Sequence, residues 1–188
     1  FLGWYAANYC VNGVYMYDLK TSPNFIELRD TRKNSYLSLS DNMEITDSLE
    51  KVLENDDIII SIGAQHFRSL CKELNGYNLN GKNFLLAMKG LEEPSAKILH
   101  DVMKEEISQD IHIAVLSGPG HVQDYMKKVP SCAVIDSYEA EIQERWIKLM
   151  QSELIRLYYG ADLIGNQIGA AMKNVIGIAA GILGGLEW

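Results

Sequence analysis

Two lysines stand where an amine could do chemistry. Lys173 is the lone cation within DLIGNQIGAAMKNVIGIAAGILGGL, residues 162–186, where Gly165, Gly169, Lys173, Gly177 and Gly181 recur every four residues. On a helix of 3.6 residues per turn that stripe drifts slowly but keeps to one side. Each interior glycine costs about 1 kcal/mol relative to alanine, so a repeated stripe points to a backbone that something approaches closely. An amine in such a crowded, partly dry place has its pKa lowered and can exchange a proton. The plainer alternative is a tightly packed helix whose lysine escapes to solvent. Lys89 follows the apolar run Phe84-Leu85-Leu86-Ala87-Met88 and precedes Gly90. At the carboxyl end of a strand an ammonium can pair with a phosphate or polarise a carbonyl, although a solvated loop lysine would read the same way.

Other candidates cluster at similar punctuation. Ser117-Gly118-Pro119 ends an apolar run, and glycine there lets backbone N–H groups approach an anion. Gly63 ends the run Ile58-Ile59-Ile60-Ser61-Ile62. Asp18 closes the run Val14-Tyr15-Met16-Tyr17, where a carboxylate can bond a ribose hydroxyl or serve only as a turn residue. His66 and His121 lie near these ends, but a lone histidine is more often a capping or surface residue. No Ser/His/Asp or Cys/His set assembles, and Asp56-Asp57 before a strand reads as a turn.

The elements that must position these residues alternate. An apolar helical pattern at Tyr5, Ala6, Tyr9 and Cys10 stops at Asn12-Gly13 and leads into a strand. This is the second half of a dinucleotide-binding βαβ unit; the strand and first two glycines of its G-x-G-x-x-G would precede Phe1, leaving Gly3 as the third glycine. Residues 19–42 read as polar and irregular. A short strand over 43–46 precedes a helix from an Asp47 cap to Asn55. Strands then follow at 58–62, 84–88, 113–116, 132–135 and 155–158. Helices follow after Gly63, from Ser95, over 138–151 and over 162–186. Continuous β-branched runs such as Ile58–Ile62 mark strands buried on both faces of a parallel sheet. Alternation of this kind predicts an α/β fold with a Rossmann-type open parallel sheet, helices on both faces, and ligands beyond the carboxyl ends of the strands.

Composition bounds the partners. The chain of 188 residues carries 47% hydrophobic and 22% charged residues, as a soluble globular protein does, and a formal net charge of −8. That balance argues against nucleic acid or an anionic membrane as the main partner, while leaving room for a local basic site. Cys10, Cys71 and Cys132 are widely spaced, form no CxxC or metal-type cluster, and read as reduced thiols of a cytoplasmic protein. No metal is expected. The longest apolar run, Val175–Leu186, is too short to span a bilayer.

Five segments, in order, resemble the glycerol-3-phosphate dehydrogenase family. GAAMKNVIGIAAGILGGL is similar to that family's GALKNVIAIAAGI signature. DDIIISIGAQHFRSL, LLAMKGLE and IAVLSGPGHVQD resemble its second, third and fourth conserved stretches, and Asn12-Gly13 with the following strand resembles the end of its first βαβ unit. The resemblance implies a hydride transfer between NAD(P) and glycerol 3-phosphate or dihydroxyacetone phosphate, supplying glycerolipid precursors. It implies Lys173 as the proton acceptor and Lys89 as a catalytic contact to cofactor and substrate. Gly118 and Gly120 join the two lysines at the substrate; Gly3, Asp18, Gly63 and Val122 join Lys89 at the cofactor. Asp18 favours NAD over NADP, although Lys20 could offset its repulsion of a 2′-phosphate. A homodimer is left open.

The departures are specific. Gly120 replaces a family Ser or Thr, Val122 an alanine, Gly63 a proline, and Gln123 and Gln167 stand where acids are usual. On this reading residues 1–157 form the dinucleotide-binding domain, and 158–188 a linker and the first helix of a helical substrate domain that would carry the catalytic aspartate and an Arg-Asn phosphate clamp. The expectation is an incomplete chain or a divergent member represented by its cofactor domain, with an apolar face of the last helix left exposed. Two alternatives remain: a non-catalytic dinucleotide-binding or sensor module, and a related dehydrogenase acting on a β-hydroxy acid or ketopantoate.

Overall fold

The computed structural model describes residues 1–118, 123 and 127–186. Helix α1 (Leu2–Tyr9) buries Tyr5, Ala6 and Ala7 and leads into β1 (Val14–Tyr17). The stretch expected to be irregular holds helix α2 (Pro23–Thr31), which buries only Phe25 and Leu28. Ser22-Pro23 suits a turn as well as a helix start. Here the Ser22 side chain accepts from the Phe25 N–H, and Pro23 fills a first-turn position that needs no donor.

Strand β2 (Met43–Thr46) is followed by the single-turn α3 (Leu49–Val52). Its cap is Ser48, whose Oγ accepts from Lys51 N, and not the expected Asp47. Strand β3 (Asp57–Ile60) passes through a 3-10 turn at Ala64–His66 into α4 (Phe67–Leu74), which buries Phe67, Cys71 and Leu74 at helical spacing. Strand β4 (Asn83–Leu86) precedes α5 (Leu99–Glu106). That helix starts later than Ser95 because the Ser95 hydroxyl is bonded to Glu92 and Ala96 sits at φ 57°, outside the right-handed helical region. Strands β5 (His112–Ser117) and β6 (Ser131–Asp136), helix α6 (Ala140–Met150), strand β7 (Ile155–Tyr159) and helix α7 (Leu163–Gly185) complete the described elements.

The strands form two sheets, a parallel pair β1-β2 and a five-stranded sheet in the order β3-β4-β5-β6-β7. The expected Rossmann-type, mostly parallel sheet is present, with two departures. The sheet is not purely parallel: β6 runs against β5, with Leu116 opposite Ile135, and β7 runs parallel to β6. Nor is it one sheet, since β1 and β3 are not paired among the described residues.

Strand alternation sorts the core into two layers. Phe84, Leu86, Ile113 and Val115 face α4 and α5, packing with Phe67, Cys71, Leu99 and Val102. Leu85, Ala114, Ile135 and Leu157 face the other way, against Tyr5 of α1 and Trp146 of α6. Burying one such aliphatic side chain stabilises by roughly 1.5–3 kcal/mol, which is why these runs hold the sheet rigid beneath its loops.

Helix α7 departs from the rest. Its described buried residues are only Leu163 and Gln167, while Ile164, Ile168, Met172, Ile176 and Ile178 are exposed. The expected open apolar face is therefore present. The helix has 23 residues and a mean hydropathy of 1.4 over its most apolar window, enough by length and composition to cross a membrane. That corrects the bound taken from the run Val175–Leu186, because the apolar character continues upstream of Lys173.

Candidate functional site

The carboxyl ends of β3, β4 and β5 carry the Ser61, Lys89 and Ser117–Gly118 segments. Lys89 is placed by a turn that Gly90 makes at φ 130°, a backbone conformation that L side chains rarely adopt. Gly118 is held between β5 and β6: a Cβ there would come within 2.7 Å of the Ala133 Cβ and 3.1 Å of the Cys132 carbonyl oxygen.

Helix α7 leaves its N-cap, where Asp162 Oδ1 accepts from Gly165 N at 2.8 Å, and runs past this rim. Between them lies a cleft of about 290 Å³, with Lys89, Ser117, Gly118 and Val134 on the sheet side. Asn166, Gly169, Ala170 and Lys173 line the helix side. A Cβ on Gly169 would meet nothing within 4 Å, so its missing side chain keeps cleft space open. Gly177 and Gly181 also meet nothing within 4 Å, whereas a Cβ on Gly165 would overlap the capping Asp162 carboxylate, so within the described residues only the first glycine of the stripe is explained by a close neighbour.

A second cavity of about 220 Å³ adjoins the first and shares Lys89 and Gly118 with it. Its other walls include Phe1, Leu2 and Tyr5 of the α1 region, Ala87, Leu116 and Leu157. The slot is apolar and sits where the start of α1 meets the strand ends. Helix α1 has no side-chain cap, which leaves first-turn N–H groups that an anion could take.

The electrostatics single out Lys89. Its amine is held below the ordinary lysine range, first by partial burial and then by the positive charge of Lys173, although the residue as a whole is exposed. Lys173 itself is exposed, so the expected crowded, dry surroundings are not found around it. The face of α7 that would crowd it is uncovered in these residues.

The other sequence candidates are distributed differently. Gly3 lies in the first turn of α1, where an added Cβ would meet Met43 and Val14 at 3.5 and 3.6 Å, an ordinary packing distance, and it lines neither cavity. Asp18 follows β1 on the surface, with Oδ1 accepting from Leu19 N at 2.8 Å. Gly63 caps the 3-10 turn and faces His66. Gly120 and Val122, with His121, lie outside the described residues. The set of groups fits a dinucleotide in kind: a half-buried carboxylate after β1, an α1 start with no side-chain cap, and an apolar slot ending at an amine. Among the described residues no group of three His, Cys, Asp or Glu side chains could hold a metal ion.

Sequence reading missed two residues here, Asp136 and Asn166. Asp136 ends an apolar strand yet is only 3% exposed, and its carboxylate accepts from the Asn166 amide. The signal existed for Asn166, which lies seven residues before Lys173 and hence on the same helix face. Gln167, where an acid is usual, is buried and accepts from His100 N at 3.3 Å.

The family profile described as "NAD-dependent glycerol-3-phosphate dehydrogenase N-terminus" matches residues 8–143. A glycerol-3-phosphate dehydrogenase [NAD(P)+] of Clostridium botulinum is 34% identical over 164 residues, covering 87% of this chain and 49% of that protein. The namesake from Fusobacterium nucleatum is 32% identical over 168 residues, covering 86% and 50%. The chain thus spans about half the length of the curated relatives it matches.

In fold it is similar to the Coxiella burnetii glycerol-3-phosphate dehydrogenase, with a TM-score of 0.86 at 22% identity over 99% of this chain and 57% of that one. The Saccharomyces cerevisiae enzyme gives 0.83 at 20% identity over 100% and 60%. With a family profile across most of the sequence, relatives above 30% identity along it, and this sheet beneath the cleft, the chain belongs to the NAD-dependent glycerol-3-phosphate dehydrogenase family, matching its N-terminal region.

Proposed function

We propose that the protein interconverts sn-glycerol 3-phosphate and dihydroxyacetone phosphate, using NAD(P) as the redox partner. The observation that carries this reading is the meeting of Lys89 and Lys173 in one cleft that shares Lys89 and Gly118 with an apolar slot. Bound NAD(P) supplies the acceptor for the hydride that leaves C2 of glycerol 3-phosphate. Lys173 takes the C2 hydroxyl proton at Nζ during oxidation and returns it during reduction, as a positioned general base and acid does. Lys89 directs its amine at the same oxygen and favours the charge developing there. Two cations in an otherwise acidic chain also draw a phosphorylated substrate to this cleft.

On this reading Asp18 bonds ribose hydroxyls, the first turn of α1 receives the pyrophosphate, and the slot lined by Ala87 and Leu116 takes the nicotinamide end. The activity supplies glycerolipid precursors in the cytoplasm and needs neither nucleic acid nor a membrane as partner.

The test is NADH oxidation with dihydroxyacetone phosphate by the whole protein. Lys173→Ala should lower kcat at least ~10²-fold, the scale of general acid–base catalysis, with NADH affinity little changed. Near-normal kcat in that variant would remove Lys173 from the chemistry. NADH binding without turnover in the wild type would favour a non-catalytic dinucleotide-binding module.

A further inference from the structure

When the ketone is reduced, both lysines enter the cleft as ammonium groups, which can only donate hydrogen bonds. A substrate hydroxyl that is not being oxidised still needs an acceptor. Asn166 lines the cleft two helical turns before Lys173, about 10 Å along the axis. Its amide is oriented by chemistry: the Asp136 carboxylate only accepts, so Nδ2 faces Asp136 and donates to Oδ2. The carbonyl oxygen has no other hydrogen-bond partner among the described residues and is the part of the amide free for the cleft.

The arrangement is built, not incidental. Asp136 is 3% exposed, at the end of β6. The next turn of chain makes room for it with Gly160, where any Cβ would overlap the Asp136 carboxyl group. Gly160 is fixed in turn: its N–H donates to the Ile135 carbonyl at 2.8 Å, and Gln143 Nε2 donates to the carbonyls of Ile135 at 2.7 Å and Gly160 at 2.8 Å. A buried carboxylate is costly unless its partners hold it, and here a partner is a residue of the cleft wall.

We propose that Asn166 reads the terminal hydroxyl of the three-carbon substrate through its amide carbonyl, and that Asp136 is the positioning residue that holds the amide for this task. The inference rests on the reaction proposed above and adds the substrate's direction of entry. The negative charge of Asp136 behind the amide disfavours a phosphate at this end of the cleft. The hydroxyl end therefore points to Asn166 and the phosphate points away.

The whole protein tests this with two ketones, dihydroxyacetone phosphate and hydroxyacetone phosphate, which lacks the terminal hydroxyl. Wild type should prefer the first in kcat/KM by ~10-fold or more, since a site that bonds a hydroxyl rejects the analogue without it. Asn166→Ala should bring that ratio to about 1–3, with the Kd for NADH within about twofold. Asp136→Asn and Asp136→Ala should shrink the ratio in the same direction, and neither should change it further in an Asn166→Ala background. The asparagine variant keeps the shape if the alanine variant fails to fold.

An unchanged ratio in Asn166→Ala, or additive effects of the two positions, overturns the proposal. If the wild type turns over neither ketone, the reading of the reaction has failed. The pair is then judged by calorimetric titration of the same two ketones with NADH present. A difference in Kd that Asn166→Ala abolishes supports the proposal, and equal Kd values in the wild type overturn it.

Discussion

Replacing Gly118 with alanine should destabilise the protein and disturb both cavities at once. The added Cβ would lie 2.7 Å from the Ala133 Cβ, 3.0 Å from its Cα and 3.1 Å from the Cys132 oxygen, where ordinary contact begins at 3.4 Å. The worst contact is therefore short by ~0.7 Å. None of these atoms is the free end of a flexible side chain, and Cys132 and Ala133 are paired to β7 through Arg156 and Leu157. Relief must come from moving the Ser117–Gly118 turn or the edge of β6, which puts the cost at about 1–3 kcal/mol. For a domain of this size that is a fall in Tm of roughly 2–12 °C. Gly118 is not at positive φ, so backbone strain adds nothing and the effect is steric.

Thermal unfolding with NADH titration reads both consequences. The Kd for NADH should rise, because Gly118 lines the apolar slot as well as the lysine cleft. Adding Ala133→Gly removes the 2.7 Å clash and should recover part of the loss, limited by the remaining contacts and by roughly 0.5–1 kcal/mol for glycine in a strand. A Gly118→Ala protein with wild-type Tm and Kd, or a second substitution that only adds destabilisation, would refute the steric account.

Asp18→Asn should narrow any preference for NAD over NADP, read by titration with both cofactors; wild-type affinity that is equal, or tighter for NADP, would mean that Asp18 does not face the ribose. Glu92 accepts from Arg68 Nε at 2.5 Å and Nη2 at 2.7 Å, and with Ser95 this holds its carboxyl from the usual 4.5 down to about 2. Between those values the unfolded chain binds more protons, so this contribution is complete above pH 4.5 and is lost as pH falls toward 2. Glu92→Gln should accordingly flatten the acid limb of stability measured by urea unfolding, and parallel curves would contradict the assignment. Cys132 is exposed, whereas burial pushes the Cys71 thiol up to about 12. A thiol-alkylating reagent at neutral pH should label Cys132 rapidly and Cys71 only after unfolding, which peptide mapping would show.

Much of the scaffold was legible in the sequence because short-range rules govern it. Ile58–Ile60 and Phe84–Leu86 are β-branched or apolar runs bounded by turn residues, and they form strands because burial on both faces demands such runs. The stripe through Lys173 kept its helical period, so one long helix followed, and Gly90 after Lys89 announced a turn that only glycine makes easily.

Tertiary structure decided what depends on partners distant in sequence. The reversed direction of β6 rests on pairing with β5 across a connection whose residues carry no strand-direction signal. Helix α2 formed where local signals also fitted a turn, because Leu28 found burial in a cluster with Met43 of β2, and Phe25 is buried as well. The exposure of Lys173 and the depression of Lys89 depend on what covers each amine, and that is a property of packing. Asp136 and Asn166 are thirty positions apart in the numbering. Only the fold brings a strand end, a glycine and a helix face together, so that a buried carboxylate stands behind the wall of the cleft.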